Sequence, residues 1–262
     1  MRPGLAGDVA RCVARPVFGL LWRVRVSGVG NIPAGGAIIA ANHQSVIDSF
    51  FLGVHLPRPV VFIGKAEYLD SWKTRYLFPA LGMIPIDRSG GTSSAPALDF
   101  GADLLEEGRL LGVYPEGTRS RTGRLHKGRT GIARLAFRTG VPVVPVGIVG
   151  TRAIQPPDVA CPRPFMRAEL RIGRPVSPGG YVDRVPRSLG LRAMTDDVMF
   201  AIRELSGLEY DPTYADRQWP GADGSARGLG GISAGVMGDD RPTAREALGA
   251  ETTVTGRTAA VA

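Results

Sequence analysis

Seven short apolar runs punctuate the chain, at residues 24–26, 37–40, 60–63, 83–86, 111–114, 143–149 and 168–172. Between several of them, at 46–54, 71–78, 95–107, 131–139 and 191–205, apolar residues recur three and four positions apart. Runs this short fit strands, and the intervening period fits helices packed on a sheet. The alternation predicts a single α/β domain with a mainly parallel or mixed central sheet flanked by helices. Open sheets of that kind gather ligands at the loops that follow their strands, and those loops carry the least ordinary polar groupings of this sequence.

From about Tyr210 the periodicity stops, and stretches such as Trp219-Pro220-Gly221-Ala222-Asp223-Gly224 predict a flexible, disordered tail over 210–262. The domain is then expected at 31–209, with a helical segment at 1–30. In that segment Val17-Phe18-Gly19-Leu20-Leu21-Trp22 is bounded by Arg11, Arg15, Arg23 and Arg25. It is far shorter than the roughly 20 apolar residues that span a bilayer. It fits an anchor lying among lipid headgroups, and equally a helix packed on the core; Pro16 and Gly19 interrupt its helical pattern.

The net charge is +8, and Lys65, Lys73 and Lys127 are the sole lysines, so arginine supplies nearly all the positive charge. Residues 1–206 hold 27 basic against 16 acidic groups, which makes the expected folded part more basic than the whole. Such a surface suits anionic headgroups, phosphorylated substrates or nucleic acid, and arginine suits bidentate phosphate contacts. Cys12 and Cys161 are far apart and form neither a disulfide framework nor a zinc motif. The three histidines, His43, His55 and His126, do not cluster with acids at metal-ligand spacing, so no metal is expected and His55 reads as structural.

After the run at 37–40 comes Asn42-His43-Gln44-Ser45-Val46-Ile47-Asp48. Five residues on a regular helix turn through about 140°, so His43 and Asp48 meet only if His43 precedes the helix. With Ser45 as N-cap, Asp48 either bonds back to the cap or reaches His43. In the second arrangement it fixes the His43 tautomer and leaves Nε2 to take a proton from a hydroxyl. The bland alternative is a capping box beside a satisfied histidine. The next grouping, Tyr114-Pro115-Glu116-Gly117-Thr118-Arg119-Ser120-Arg121, ends a strand in a turn rich in amides, hydroxyls and guanidinium groups suited to a phosphate. Gly82-Met83-Ile84-Pro85-Ile86-Asp87-Arg88 ends another strand in an acid and a base. The prolines of Val141-Pro142-Val143-Val144-Pro145-Val146 favour an edge or irregular strand.

In this order the four segments, from about Gly36 to Gly150, resemble the glycerolipid acyltransferase family typified by 1-acylglycerol-3-phosphate acyltransferase. The resemblance implies a glycerophosphate acyltransferase-like fold, His43 as general base and Asp48 as its orienter. It places Arg88, Glu116, Gly117 and Arg119 around the acceptor phosphate, with Thr118 and Ser120 shaping the loop. Tyr114 departs from the aromatic, often phenylalanine, usual before the proline, and His126 stands where another residue precedes the family's basic pair. The expected reaction moves a fatty acyl group from acyl-coenzyme A or acyl carrier protein, as co-substrate with no cofactor, to the sn-2 hydroxyl of 1-acylglycerol 3-phosphate. The expected location is peripheral or monotopic, on the cytoplasmic face of the cell membrane, with no nucleic-acid partner. The alternatives are an acyltransferase acting on another lysophospholipid or glycerol 3-phosphate, a hydrolase without a Gly-x-Ser-x-Gly elbow, and a basic lipid- or nucleic-acid-binding module.

Overall fold

The computed structural model describes residues 5–65, 83–86, 95–157, 159–183 and 186–215. Helix α1 (Leu5–Leu21) leads into β1 (Arg23–Ser27), β2 (Ala37–Ala41), helix α2 (Ile47–His55), β3 (Val60–Lys65) and β4 (Met83–Ile86). Helix α3 (Ala95–Glu106), β5 (Leu110–Val113), the two-residue β6 (Leu125–His126), helix α4 (Gly131–Thr139) and β7 (Val143–Val149) follow. The described chain closes with β8 (Arg167–Ile172), helix α5 (Arg187–Ser206) and the two-residue β9 (Tyr210–Asp211). The helix expected at 71–78 lies outside the described residues.

The main sheet has the order β1-β8-β7-β2-β5-β3-β4. All neighbours are parallel except β7 and β8, so the sheet is mixed. β2 lies near its middle and is buried at all five positions, as a strand covered on both faces must be. Successive residues point to opposite faces. Ile39 and Ala41 join Trp22, Phe51, Leu52 and Val146 in one core layer; Ile38 and Ala40 join Leu105, Leu111, Leu135 and Val198 in the other. Gly112 in β5 lets Phe62 pass close across the strand, since a Cβ there would sit 2.2 Å from the Phe62 ring.

Three features depart from the sequence reading. β7 is an interior strand between β8 and β2 despite Pro145. The carbonyl of Pro145 accepts from Gly173 N, and the segment after β8 then carries one extra residue before Val176 exchanges both backbone hydrogen bonds with Val143, so the missing N–H falls at a bulge in the pairing. The segment 1–30 contains β1, an integral strand of the main sheet. The packed chain also continues past 209: β9 pairs with β6, and Lys127 N donates to Thr213 O.

α1 runs through Pro16 and Gly19 without a break because it is held from outside. Arg11 donates from Nε to Gly53 O at 2.9 Å and from Nη2 to Leu56 O at 2.6 Å, at the end of α2, where carbonyls lack helical partners. Phe18 meets Trp22, Phe51 and His55. The opposite side leaves Val13, Val17 and Leu20 exposed. Among the described residues no helix is long and apolar enough to cross a membrane.

Candidate active site

β2 and β5 are adjacent and parallel, so the loops after their last residues emerge side by side. The first carries His43, the second Tyr114 to Ser120. Asn42 is fully buried and continues the ladder with its side chain: Nδ2 donates to Ile148 O at 2.9 Å and Oδ1 accepts from Ile148 N at 2.7 Å. The backbone that delivers His43 is thereby fixed to β7.

α2 begins at Ile47 with Val46 as its N-cap, so Ser45 lies one residue outside; its Oγ still accepts from Ile47 N at 3.3 Å. Asp48, fully buried in the first turn, turns back towards the loop. Its Oδ2 accepts from Gln44 N at 2.8 Å and Ser45 N at 2.9 Å, and lies 3.0 Å from His43 Nδ1. Capping and orienting His43, which competed in the sequence reading, are done together by one oxygen. A carboxylate at this distance selects the tautomer with the proton on Nδ1, leaving Nε2 as the basic nitrogen. The His43 side chain is 16% exposed, and its ring stacks on Tyr114 with centroids 3.8 Å apart and planes at 10°. Tyr114 in turn stacks on Phe62, and its hydroxyl lies 2.7 Å from Ser49 Oγ. Burial, with the Asp48 charge adding to it, raises the Tyr114 phenol well above its ordinary value, so it stays protonated.

Glu116 is fully buried. Oε1 accepts from His43 N at 3.0 Å and Oε2 from His126 N at 2.9 Å. Burial pushes its carboxyl up to about 7, although the amide bonds from His126 and His43 pull it down; the Asp48 charge adds to the rise. Gly117 takes φ +78°, and its N–H closes a turn onto Tyr114 O. Ser120 N donates to His43 O at 2.7 Å, and Ser120 Oγ accepts from Gly123 N at 3.2 Å. Arg152 fastens the far side of the loop by donating to Ser120 O and Arg121 O.

The structure thus brings His43, Asp48, Glu116 and Ser120 together, with Gly117 and the half-buried Thr118 and Arg119 on the connecting turn. Arg88 lies outside the described residues. Glu116, expected beside the acceptor phosphate, is buried with both oxygens on backbone amides. Tyr114, noted in the sequence only as a departure, is the ring against the histidine. Its position directly before Pro115 was the available signal. Asn42 and Arg152 act on backbone groups distant in sequence, and no local spacing marks them.

Residues 23–149 match the Acyltransferase family. The chain is 31% identical over 137 residues to a chloroplastic 1-acyl-sn-glycerol-3-phosphate acyltransferase of Arabidopsis thaliana, covering 52% of this chain and 38% of that protein. It is 29% identical over 126 residues to a probable 1-acyl-sn-glycerol-3-phosphate acyltransferase of Mycoplasma pneumoniae, covering 46% and 47%. The matched stretch therefore spans less than half the length of either relative. Among solved structures, the 1-acyl-sn-glycerophosphate acyltransferase PlsC from Thermotoga maritima superposes with a TM-score of 0.61 at 26% identity, covering 76% of this chain and 79% of that one.

Proposed function

From the match to the Acyltransferase family over residues 23–149 we propose that the chain transfers a fatty acyl group from acyl-coenzyme A or acyl carrier protein to the sn-2 hydroxyl of 1-acylglycerol 3-phosphate, making phosphatidate. The observation that carries the reading is the His43–Asp48 pair, 3.0 Å apart at the mouth of two adjacent parallel strands. His43 Nε2 takes the hydroxyl proton as the oxygen attacks the thioester carbonyl. The tetrahedral oxyanion then collapses, the C–S bond breaks, and the sulfur leaves with the proton returned by His43. Asp48 stabilises the imidazolium formed between the two steps; a positioned base of this kind is typically worth about 10²- to 10⁴-fold. No acyl-enzyme intermediate is required.

The acceptor phosphate is assigned to Arg119 and Arg88, whose guanidinium groups suit it. Lys127 and Arg129, both lying over the Tyr214 ring, extend the basic surface. Association with a membrane surface is supported by the exposed Val13, Val17 and Leu20 on one side of α1. Phe165, whose N–H donates to Leu21 O, is also exposed, and the paired Arg23 and Arg167 stand nearby on β1 and β8. An apolar strip beside arginines fits a helix seated among anionic headgroups. The cytoplasmic face of the cell membrane is the proposed location.

The test is incubation of purified protein with oleoyl-coenzyme A and 1-acylglycerol 3-phosphate in mixed micelles, following free thiol and phosphatidate together. Equal appearance of both supports the reading. Thiol without phosphatidate overturns it in favour of hydrolysis or another acceptor.

A further inference from the structure

His43 is held at both of its backbone polar groups by the single loop that follows β5. Its N–H donates to Glu116 Oε1 and its carbonyl accepts from Ser120 N. The second oxygen of Glu116 takes the N–H of His126 in β6, and β6 is paired with β9 near the end of the described chain. The Glu116 carboxylate is fully buried, with each oxygen accepting a hydrogen bond from an amide, so it presents no surface to a substrate. It joins two segments 83 residues apart in sequence, the His43 loop and β6, at a point enclosed by Asp48, His43 and His126.

Resting on the acyltransferase reading above, we propose that Glu116 is a positioning residue: it fixes the His43 backbone against β6 by accepting the amides of His43 and His126, and it does not touch the acceptor phosphate. Two amide donors facing one side chain require acceptors at both ends. A carboxylate supplies them, whereas the isosteric amide of glutamine presents an acceptor at one end and a donor at the other. A buried amide left without an acceptor opens more readily to solvent. Burial raises the Glu116 carboxyl to about 7, and the two amide bonds oppose that rise.

The experiment uses the full chain, selectively labelled with ¹⁵N-histidine. His43, His55 and His126 are the sole histidines, so three backbone amide signals report directly on the bridge and on a control. In Glu116→Gln, hydrogen exchange at His43 or His126, or both, is expected to speed up by about tenfold or more while His55 is unchanged. kcat should fall on the order of 100-fold, with the acceptor KM within about twofold of wild type, as expected for a displaced base rather than a lost contact. Glu116→Asp keeps the charge but is one methylene short, so it loses protection at one or both amides and serves if the glutamine variant does not fold. A raised acceptor KM at unchanged kcat, or full protection of both amides in these variants, overturns the proposal. If wild type transfers no acyl group, the functional reading fails, and the exchange rates still decide whether Glu116 holds the two segments.

Discussion

The Tyr114 ring lies parallel to the His43 imidazole at 3.8 Å, and its hydroxyl reaches Ser49 beside Asp48 on α2. The His43 ring is thus confined on its face by one residue and at Nδ1 by another, and both confining groups are tied to the first turn of α2. Tyr114→Phe removes the bond to Ser49 but keeps the ring, and is expected to cost about 1 kcal/mol in stability with little change in kcat. Tyr114→Ala removes the face itself and is expected to cost roughly 3 kcal/mol and to lower kcat more than the phenylalanine change. Urea unfolding with steady-state kinetics on both variants measures this; equal kcat in the two contradicts a role for the stacked ring.

Asp48→Asn preserves shape, and its amide oxygen can still accept from both backbone amides and the imidazole N–H, but it carries no charge. The neutral amide cannot stabilise an imidazolium. The expected result is a fall in kcat on the order of 10²- to 10⁴-fold at nearly unchanged acceptor KM, with the circular dichroism spectrum retained. Wild-type kcat in this variant would separate Asp48 from the chemistry.

Glu116 sets a pH dependence of stability. Its carboxyl is raised from 4.5 to about 7 in the folded chain, so the folded state holds the proton more tightly than the unfolded one. That contribution is complete below about 4.5 and is lost as pH rises through about 7. The size is on the order of 3 kcal/mol for a fully buried group shifted this far. Unfolding free energies measured from pH 5 to pH 8 should therefore decline more steeply in wild type than in Glu116→Gln; parallel profiles would show that Glu116 does not carry the effect.

The strands, the strand-to-helix turn of His43 and the loop from Pro115 to Ser120 were readable because each depends on local period or spacing. The bridge by Glu116 was not. Its two amide partners lie 73 and 10 residues away, and nothing in Pro115-Glu116-Gly117 says whether the carboxylate turns outward or inward. The prolines near 143 argued for an edge or irregular strand; β7 is interior, and its pairing shifts by one residue beyond Pro145. β6 and β9 are two residues each, too short to carry periodicity, so the packing of 210–215 was invisible. The N-cap moved from Ser45 to Val46 because Asp48 satisfies the amides of Gln44 and Ser45 ahead of the helix.

Leu20 is 77% exposed at the end of α1. Leu20→Glu is expected to reduce co-sedimentation with vesicles of anionic phospholipid several-fold while leaving the unfolding midpoint nearly unchanged, since the side chain packs little in the free protein. Equal sedimentation of wild type and variant would remove α1 from the membrane contact.

His43→Ala with oleoyl-coenzyme A and 1-acylglycerol 3-phosphate decides whether His43 is the proposed base for acyl transfer to a lysophosphatidate hydroxyl. Phosphatidate formation in the wild type, lost by on the order of 10²-fold or more in a variant with an unchanged circular dichroism spectrum, is the result predicted here. Phosphatidate formed at the wild-type rate by His43→Ala would contradict it.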